Sequence, residues 1–187
     1  MTKLFKTNAV VFVLLLAVCC KGYAQTRKDT WATKIPSSHL YNLYKVDDSL
    51  QRSEQPDKQA MQELAQTGVK SVLNLRKSKK DVQPKGIHLV LIHVGMKAGS
   101  ISYDELVAAL RAIEKAPKPV LVHCKHGADR TGCVVAAYCV IKHQYTKEEA
   151  IDELRNGGYN FHEKWYPNII ALLNSLDVEQ LRKDVAK

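Results

Sequence analysis

Cys124 and Arg130 are separated by five residues, Lys125-His126-Gly127-Ala128-Asp129, and Thr131-Gly132 follow directly. The run before them, Val120-Leu121-Val122-His123, is apolar and rich in valine, and the run after them is a long apolar segment of helical character. This order reads as a buried strand, a tight loop and a helix. A helix N-terminus gathers unpaired backbone N–H groups and partial positive charge, which makes it an anion site. A short loop wrapped over that terminus aims further N–H groups at the same point. A thiol held there has its thiolate favoured, with a pKa of about 3.5–7.5 in place of about 8.5. Arg130 adds a planar fork able to grip two phosphate oxygens at once. A nucleophile and an anion clamp thus flank one phosphate-sized hole, which is the equipment for phosphoryl transfer to a thiol.

Lys125, His126, Gly127, Ala128 and Asp129 are expected, with Arg130, to line this phosphate site through their N–H groups, while their side chains tune preference. His123 is expected to prop the loop by hydrogen bonding, not to act as a base. Thr131, at the start of the helix, reads as a plain helix cap. A metal site on His123, Cys124 and His126 does not fit, because zinc ligand pairs usually have two or more residues between them and no second pair appears. No metal or organic cofactor is implied. A sulfurtransferase loop would be one residue shorter and would lack the Arg-Thr-Gly run.

On these residues the chain resembles the cysteine-dependent tyrosine and dual-specificity phosphatases, whose signature is His-Cys-x5-Arg-Thr-Gly after a buried strand. The string His123 to Gly132 is similar to their compact bacterial dual-specificity-like branch, several members of which are exported. The blocks Leu43-Tyr44-Lys45-Val46, Arg52-Ser53-Glu54-Gln55-Pro56 and Val72-Leu73-Asn74-Leu75-Arg76 resemble that branch in the same order, so the resemblance covers Tyr41 to Leu173. It implies that Cys124 is the nucleophile, Arg130 the phosphate clamp and Thr131 the hydroxyl that helps sulfur leave when the thiophosphate is hydrolysed. It also implies a general acid, an Asp from the loop after the preceding strand. Here that loop, Val94 to Ile101, contains no acid, and Gly99 aligns with the expected position. Asp104 is the nearest downstream carboxylate and is the candidate acid, with Asp129 and His126 as the others. A site with no dedicated acid should cleave phenolic esters far better than serine or threonine esters, which predicts a bias to phosphotyrosine.

The elements that must position this loop follow from patterning. Leu40 to Val46 and Ser49 to Ser53 read as short edge strands around Asp47-Asp48. Pro56 opens a helix with Ala60, Met61 and Leu64 inward and Gly68 as its stop. Lys70 to Leu75 and Ile87 to Val94 are strands, joined by a basic loop from Arg76 to Gly86 that holds one Asp. Ser102-Tyr103-Asp104-Glu105 is a capping box, and Leu106, Val107, Leu110 and Ile113 mark the buried face of its helix. The helix from Thr131 to His143 is apolar nearly all round, which requires burial on several sides. Thr146-Lys147-Glu148-Glu149 opens another helix ending at Gly157-Gly158, and short helices follow from Pro167 to Leu173 and from Asp177 onward. Strands alternating with helices predict an α/β fold: three αβα layers around a mostly parallel sheet of about five strands, like a dual-specificity phosphatase. The Cys124 loop then lies at a strand's C-terminal end, where such folds bind ligands.

The chain has 187 residues, 45% hydrophobic and 25% charged, enough for one domain with a sizeable core. Residues 1–24 read as a cleaved secretory signal: Lys3 and Lys6 precede an apolar run from Ala9 to Cys20, and Gly22 and Ala24 sit at −3 and −1 of a cut before Gln25. The competing reading is a lipoprotein signal with Cys19 lipidated, which alone would bring the protein to a membrane. Residues 25–38 read as a leader and 39–187 as the phosphatase domain. The formal charge is +9, of which Lys3, Lys6 and Lys21 contribute three, leaving +6 on the mature chain. That balance suits an anionic substrate, a phosphorylated protein or a small phosphate ester such as an inositol phosphate, and no nucleic-acid partner is expected. A phosphate-binding pseudophosphatase is the reading from another class. Export predicts a periplasmic or secreted protein. Cys133 and Cys139 stand six residues apart on one helix, about 9 Å along its axis, too far to bridge each other, so they read as core thiols. A Cys124–Cys133 disulfide would protect the nucleophile in an oxidising compartment.

Overall fold

Runs that are apolar at every position, not every second one, belong to strands covered on both faces. Val72-Leu73, Leu75 and Val120-Leu121-Val122 approach that pattern, and in the computed structural model, which describes residues 27–187, the strands that hold them, Ser71–Arg76 and Val120–His123, lie side by side inside the sheet and are buried along nearly their whole length, Asn74 and His123 included. The strands are β1 (Thr33–Lys34), β2 (Tyr44–Lys45), β3 (Leu50–Ser53), β4 (Ser71–Arg76), β5 (Val90–Met96) and β6 (Val120–His123), in the order β1-β2-β3-β6-β4-β5. β3, β6, β4 and β5 run parallel, and β1 and β2 add an antiparallel edge. One face carries helix α1 (Lys58–Gln66), whose Ala60, Met61 and Leu64 pack with Val72 and Leu121. The other face, built on Leu73, Leu75, Val120 and Val122, carries α2 (Tyr103–Lys115), α3 (Asp129–Lys142), α4 (Lys147–Asn156), α5 (Pro167–Ser175) and α6 (Val178–Ala186). Three layers result, as the alternation of elements predicts.

The helix after the cysteine loop, α3, is buried on almost every side, with Cys133, Val134, Ala137 and Val140 in the main core. It is wedged between the sheet and the other helices of its layer. The two predicted capping boxes are present: Ser102 and Glu105 exchange bonds at the start of α2, as do Thr146 and Glu149 at the start of α4.

Three expectations need correction. β3 is not an edge strand: it lies between β2 and β6, and Leu50, Arg52 and Ser53 are buried. The strand expected over 40–46 shrinks to Tyr44–Lys45, because Asn42 adopts φ 56, a left-handed conformation that ends an extended run. The leader joins the domain, which raises the sheet to six strands: β1 pairs with β2, Trp31 and Ala32 are buried, and the Ala32 N–H donates to Glu153 Oε1 at 2.9 Å. The signal segment 1–24, the cut before Gln25 and Cys19 lie outside the described residues.

Candidate active site

β6 ends at His123 and α3 begins at Asp129, so residues 124–128 must reverse the chain within a single tight loop. Its carbonyls point away from the loop's interior, each to its own donor. Cys124 O lies 3.1 Å from His123 Nδ1, Lys125 O accepts from the Gln55 N–H at 3.2 Å, and His126 O from Asn42 Nδ2 at 2.9 Å. Gly127 O accepts from Arg52 Nη2 at 2.8 Å, and Ala128 O from the Gly132 N–H at 2.8 Å. With five successive carbonyls tied outward, the N–H groups are left for the anion. Gly127 makes this possible: its φ is +69°, and a Cβ there would sit 2.5 Å from the Ser53 carbonyl. Only glycine fits so close to the end of β3.

Cys124 is 1% exposed at the floor of this loop. Burial pushes its thiol up, but the hydroxyl and N–H of Thr131, the charge of Arg130 and the N–H of His126 outweigh it and bring the pKa below the ordinary thiol value. Thr131 Oγ1 is fully buried with no other partner, so its hydroxyl is free to serve the thiolate. The sequence leaves Thr131 open between helix cap and sulfur partner; its pull on the thiol favours the second. Arg130 is partly exposed at the first turn of α3, and its buried Nε is unpartnered. The side chains of Lys125 and His126 face solvent at the rim.

His123 is fully buried, with both ring nitrogens opposite acceptors: Cys124 O and, at 2.8 Å from Nε2, Asp81 Oδ2. The two contacts tie the end of β6 to the loop on one side and to the basic segment on the other. Asp81 is the single acid of the basic loop, and Gln55 Nε2 also donates to it at 2.6 Å. Burial pushes the Asp81 carboxyl up, but the His123 hydrogen bond and charge hold it below its ordinary value.

The acid candidates are placed differently. Asp104 is exposed in the first turn of α2 and makes no hydrogen bond to the loop among the described residues. Asp129 is nearly buried, and its carboxylate is engaged by His162. The acid-free loop forms a 3-10 turn, Ala98–Ser100, pinned by Asn168 Nδ2 to Ala98 O at 2.9 Å. All three cysteines among the described residues are free, Cys124 and Cys133 included.

Sequence reasoning missed the rear of the site. Arg52, 1% exposed, stacks 3.6 Å from the centre of the Tyr159 ring while it holds Gly127 O. Asn42 and Asp81 act beside it, and each belongs to a segment far from Cys124 in sequence. Only the oddity of one Asp among the lysines at 77–85, and of an Arg in an otherwise buried strand, signalled them.

The family described as "Polymorphic toxin system, DSP-PTPase phosphatase" matches residues 48–144. The dual specificity protein phosphatase TpbA of Pseudomonas aeruginosa is 30% identical over 165 residues, covering 87% of this chain and 74% of that protein. A crystal structure of a cysteine-to-serine variant of TpbA in complex with pTyr superposes with a TM-score of 0.76 at 29% identity, covering 87% of this chain and 99% of that one. The catalytic core of the PP-IP phosphatase SIW14 of Saccharomyces cerevisiae shares the fold, with a TM-score of 0.65 at 22% identity over 82% of this chain and 94% of that one.

Proposed function

The chain belongs to the DSP-PTPase phosphatases, the dual-specificity-like branch of the cysteine-dependent tyrosine phosphatases, and we propose that it hydrolyses phosphomonoesters, chiefly phosphotyrosine in proteins, through a cysteinyl-phosphate intermediate. One observation carries this reading: the loop whose carbonyls of residues 124–128 are all tied outward around a thiol of lowered pKa. The relative crystallised with pTyr supports the substrate class.

Two displacements make up the reaction. The Cys124 thiolate attacks phosphorus opposite the ester oxygen; the S–P bond forms, the P–O bond breaks and the phenolate leaves with a proton. Water then attacks the same phosphorus and the sulfur departs as thiolate. Arg130 grips two equatorial oxygens, and the loop N–H groups hold the charge that spreads over them in both transition states. The Thr131 hydroxyl steadies the sulfur as it regains its charge.

The test is para-nitrophenyl phosphate hydrolysis by the mature chain without metal, beside Cys124→Ser and Arg130→Ala. Activity is expected in the first and lost in both variants; turnover by Cys124→Ser would end the thiol mechanism. Phosphotyrosine peptides should be cleaved faster than phosphoserine peptides, and equal rates would remove the bias. A small ester with several phosphates is the second reading. A cleft of about 510 Å³ beside Gln55 and Asp81 gathers Lys58, Lys79, Lys80 and Lys85. Lys79→Glu with Lys80→Glu would then slow inositol polyphosphate hydrolysis and spare the peptide.

The reading includes export through residues 1–24 to the periplasm or beyond. Arg27, two residues after the proposed cut before Gln25, already belongs to the domain, donating to Tyr159 Oη at 2.9 Å. Mass spectrometry of the exported protein should find Gln25 first.

A further inference from the structure

Loop 94–101 lacks the acid that the mechanism above needs, yet an imidazole stands fixed to the phosphate loop. Asp129, the residue before Arg130, accepts from the His162 backbone N–H at 2.9 Å. Its two oxygens also lie 3.0 and 3.1 Å from His162 Nδ1. An ionised carboxylate only accepts, so Nδ1 carries a proton and the ring's other nitrogen, Nε2, is the atom left to exchange one. Nε2 has no hydrogen-bond partner among the described residues, and the His162 side chain is 43% exposed. The segment bearing it is pinned on both sides: Asn42 Nδ2 donates to Tyr159 O at 3.1 Å, and Arg155 donates to Glu163 at 2.8 Å. The ring lies 6.2 Å, edge to face, from that of His126, whose N–H helps hold the thiolate. Both line one recess of about 430 Å³ at the rim of the loop.

We propose that His162, oriented by Asp129, is the proton-transfer group of this site, in place of the absent loop carboxylic acid. The inference rests on the phosphatase reading above. In the first displacement the imidazolium gives its Nε2 proton to the ester oxygen as the P–O bond breaks, so a neutral alcohol leaves. In the second, neutral Nε2 takes a proton from the attacking water as the P–O bond forms and sulfur departs. The histidine returns to its starting state and the net change is ester plus water to alcohol plus phosphate. Nδ1 keeps its proton on Asp129 throughout. The charged groups facing the ring are Asp129, Lys34, Glu54 and His126, with the Arg155–Glu163 pair next in the chain.

Proton donation matters for a poor leaving group and little for a good one. The measurement is therefore kcat/KM for phenyl phosphate and for 2,4-dinitrophenyl phosphate, in the intact protein, His162→Asn, His162→Gln and Asp104→Asn. Asn places an N–H donor where Nδ1 is and keeps the bond to Asp129, so a merely structural role would be rescued by it. In His162→Asn the ratio of dinitrophenyl to phenyl turnover is expected to rise about 100-fold, within the range of general acid catalysis. The alkaline limb of the kcat profile for phenyl phosphate should vanish with it. A ratio within threefold of the intact protein in a His162→Asn chain that melts normally would overturn the proposal. So would a rise confined to Asp104→Asn. Failure of the parent reading shows elsewhere, in an intact protein that turns over neither ester or a Cys124→Ser chain that turns over both.

Discussion

Three thiols of one composition have two different chemistries here. Cys133, buried among apolar groups, is pushed up to about 12, and burial raises Cys139 as well, while Cys124 is held below the ordinary thiol value by its donors. Iodoacetate at pH 6 should therefore alkylate Cys124 and spare the other two, as read by peptide mass spectrometry. A lowered pKa keeps the thiolate present as pH falls, so the labelling rate should drop only below the ordinary thiol range. Asp81 carries a second prediction. Its folded pKa lies below the unfolded value of about 3.9. The hydrogen-bonded Asp81 carboxylate thus stabilises the fold above that value, and its contribution is lost as pH falls through the lower, folded one. Asp81→Asn should cost about 1.5–3 kcal/mol at pH 7, the usual size for a buried hydrogen bond to a charged group, and should flatten the acid limb of the stability curve. Urea unfolding between pH 2 and 7 measures both.

The unit that works is an element pair, the end of β3 pressed against the loop that follows β6. Gly127→Ala drives a Cβ into the Ser53 carbonyl at 2.5 Å and asks a non-glycine residue to hold φ +69°. The cost is expected at about 1–3 kcal/mol, and kcat/KM should fall about 100-fold because the N–H groups lose their aim. Ser102→Ala makes the contrast. It removes one half of the capping box on α2 and should cost about 1 kcal/mol while turnover stays put. Circular dichroism melts beside turnover separate the two. The helices were legible in sequence because caps and 3.6-residue periodicity are local. β3 was misplaced because four residues cannot reveal whether one edge or two are paired, and β1 was invisible because two polar residues carry no strand pattern.

At the scale of the whole molecule, a cluster of polar and aromatic side chains ties the N-terminal segment to the rear of the site. Arg27 lies over the rings of Trp31, Tyr44 and Tyr159; Tyr159 Oη donates to Glu153 at 2.6 Å and its ring supports Arg52, which holds the loop. Trp31 is 4% exposed. Trp31→Ala is expected to cost about 3–5 kcal/mol, and a chain begun at residue 39 should lose more, since β1 goes with it. Differential scanning calorimetry of the two checks this; a truncated chain with an unchanged melt would show the segment to be an appendage.

The sequence by itself pointed to Cys124 as the candidate nucleophile and Arg130 as the candidate clamp, and it determined the layered fold and the absence of an acid from loop 94–101, because each is read from residues close together in the chain. Cys124 to Gly132 is a single strand-loop-helix unit, and its chemistry follows from the N–H groups that any such unit gathers. Only the tertiary structure decided what holds that unit open and what can hand it a proton. Arg52, Asn42, Asp81 and His162 converge on it from four other segments, through hydrogen bonds whose partners are set by packing and leave no periodic trace in the order of residues.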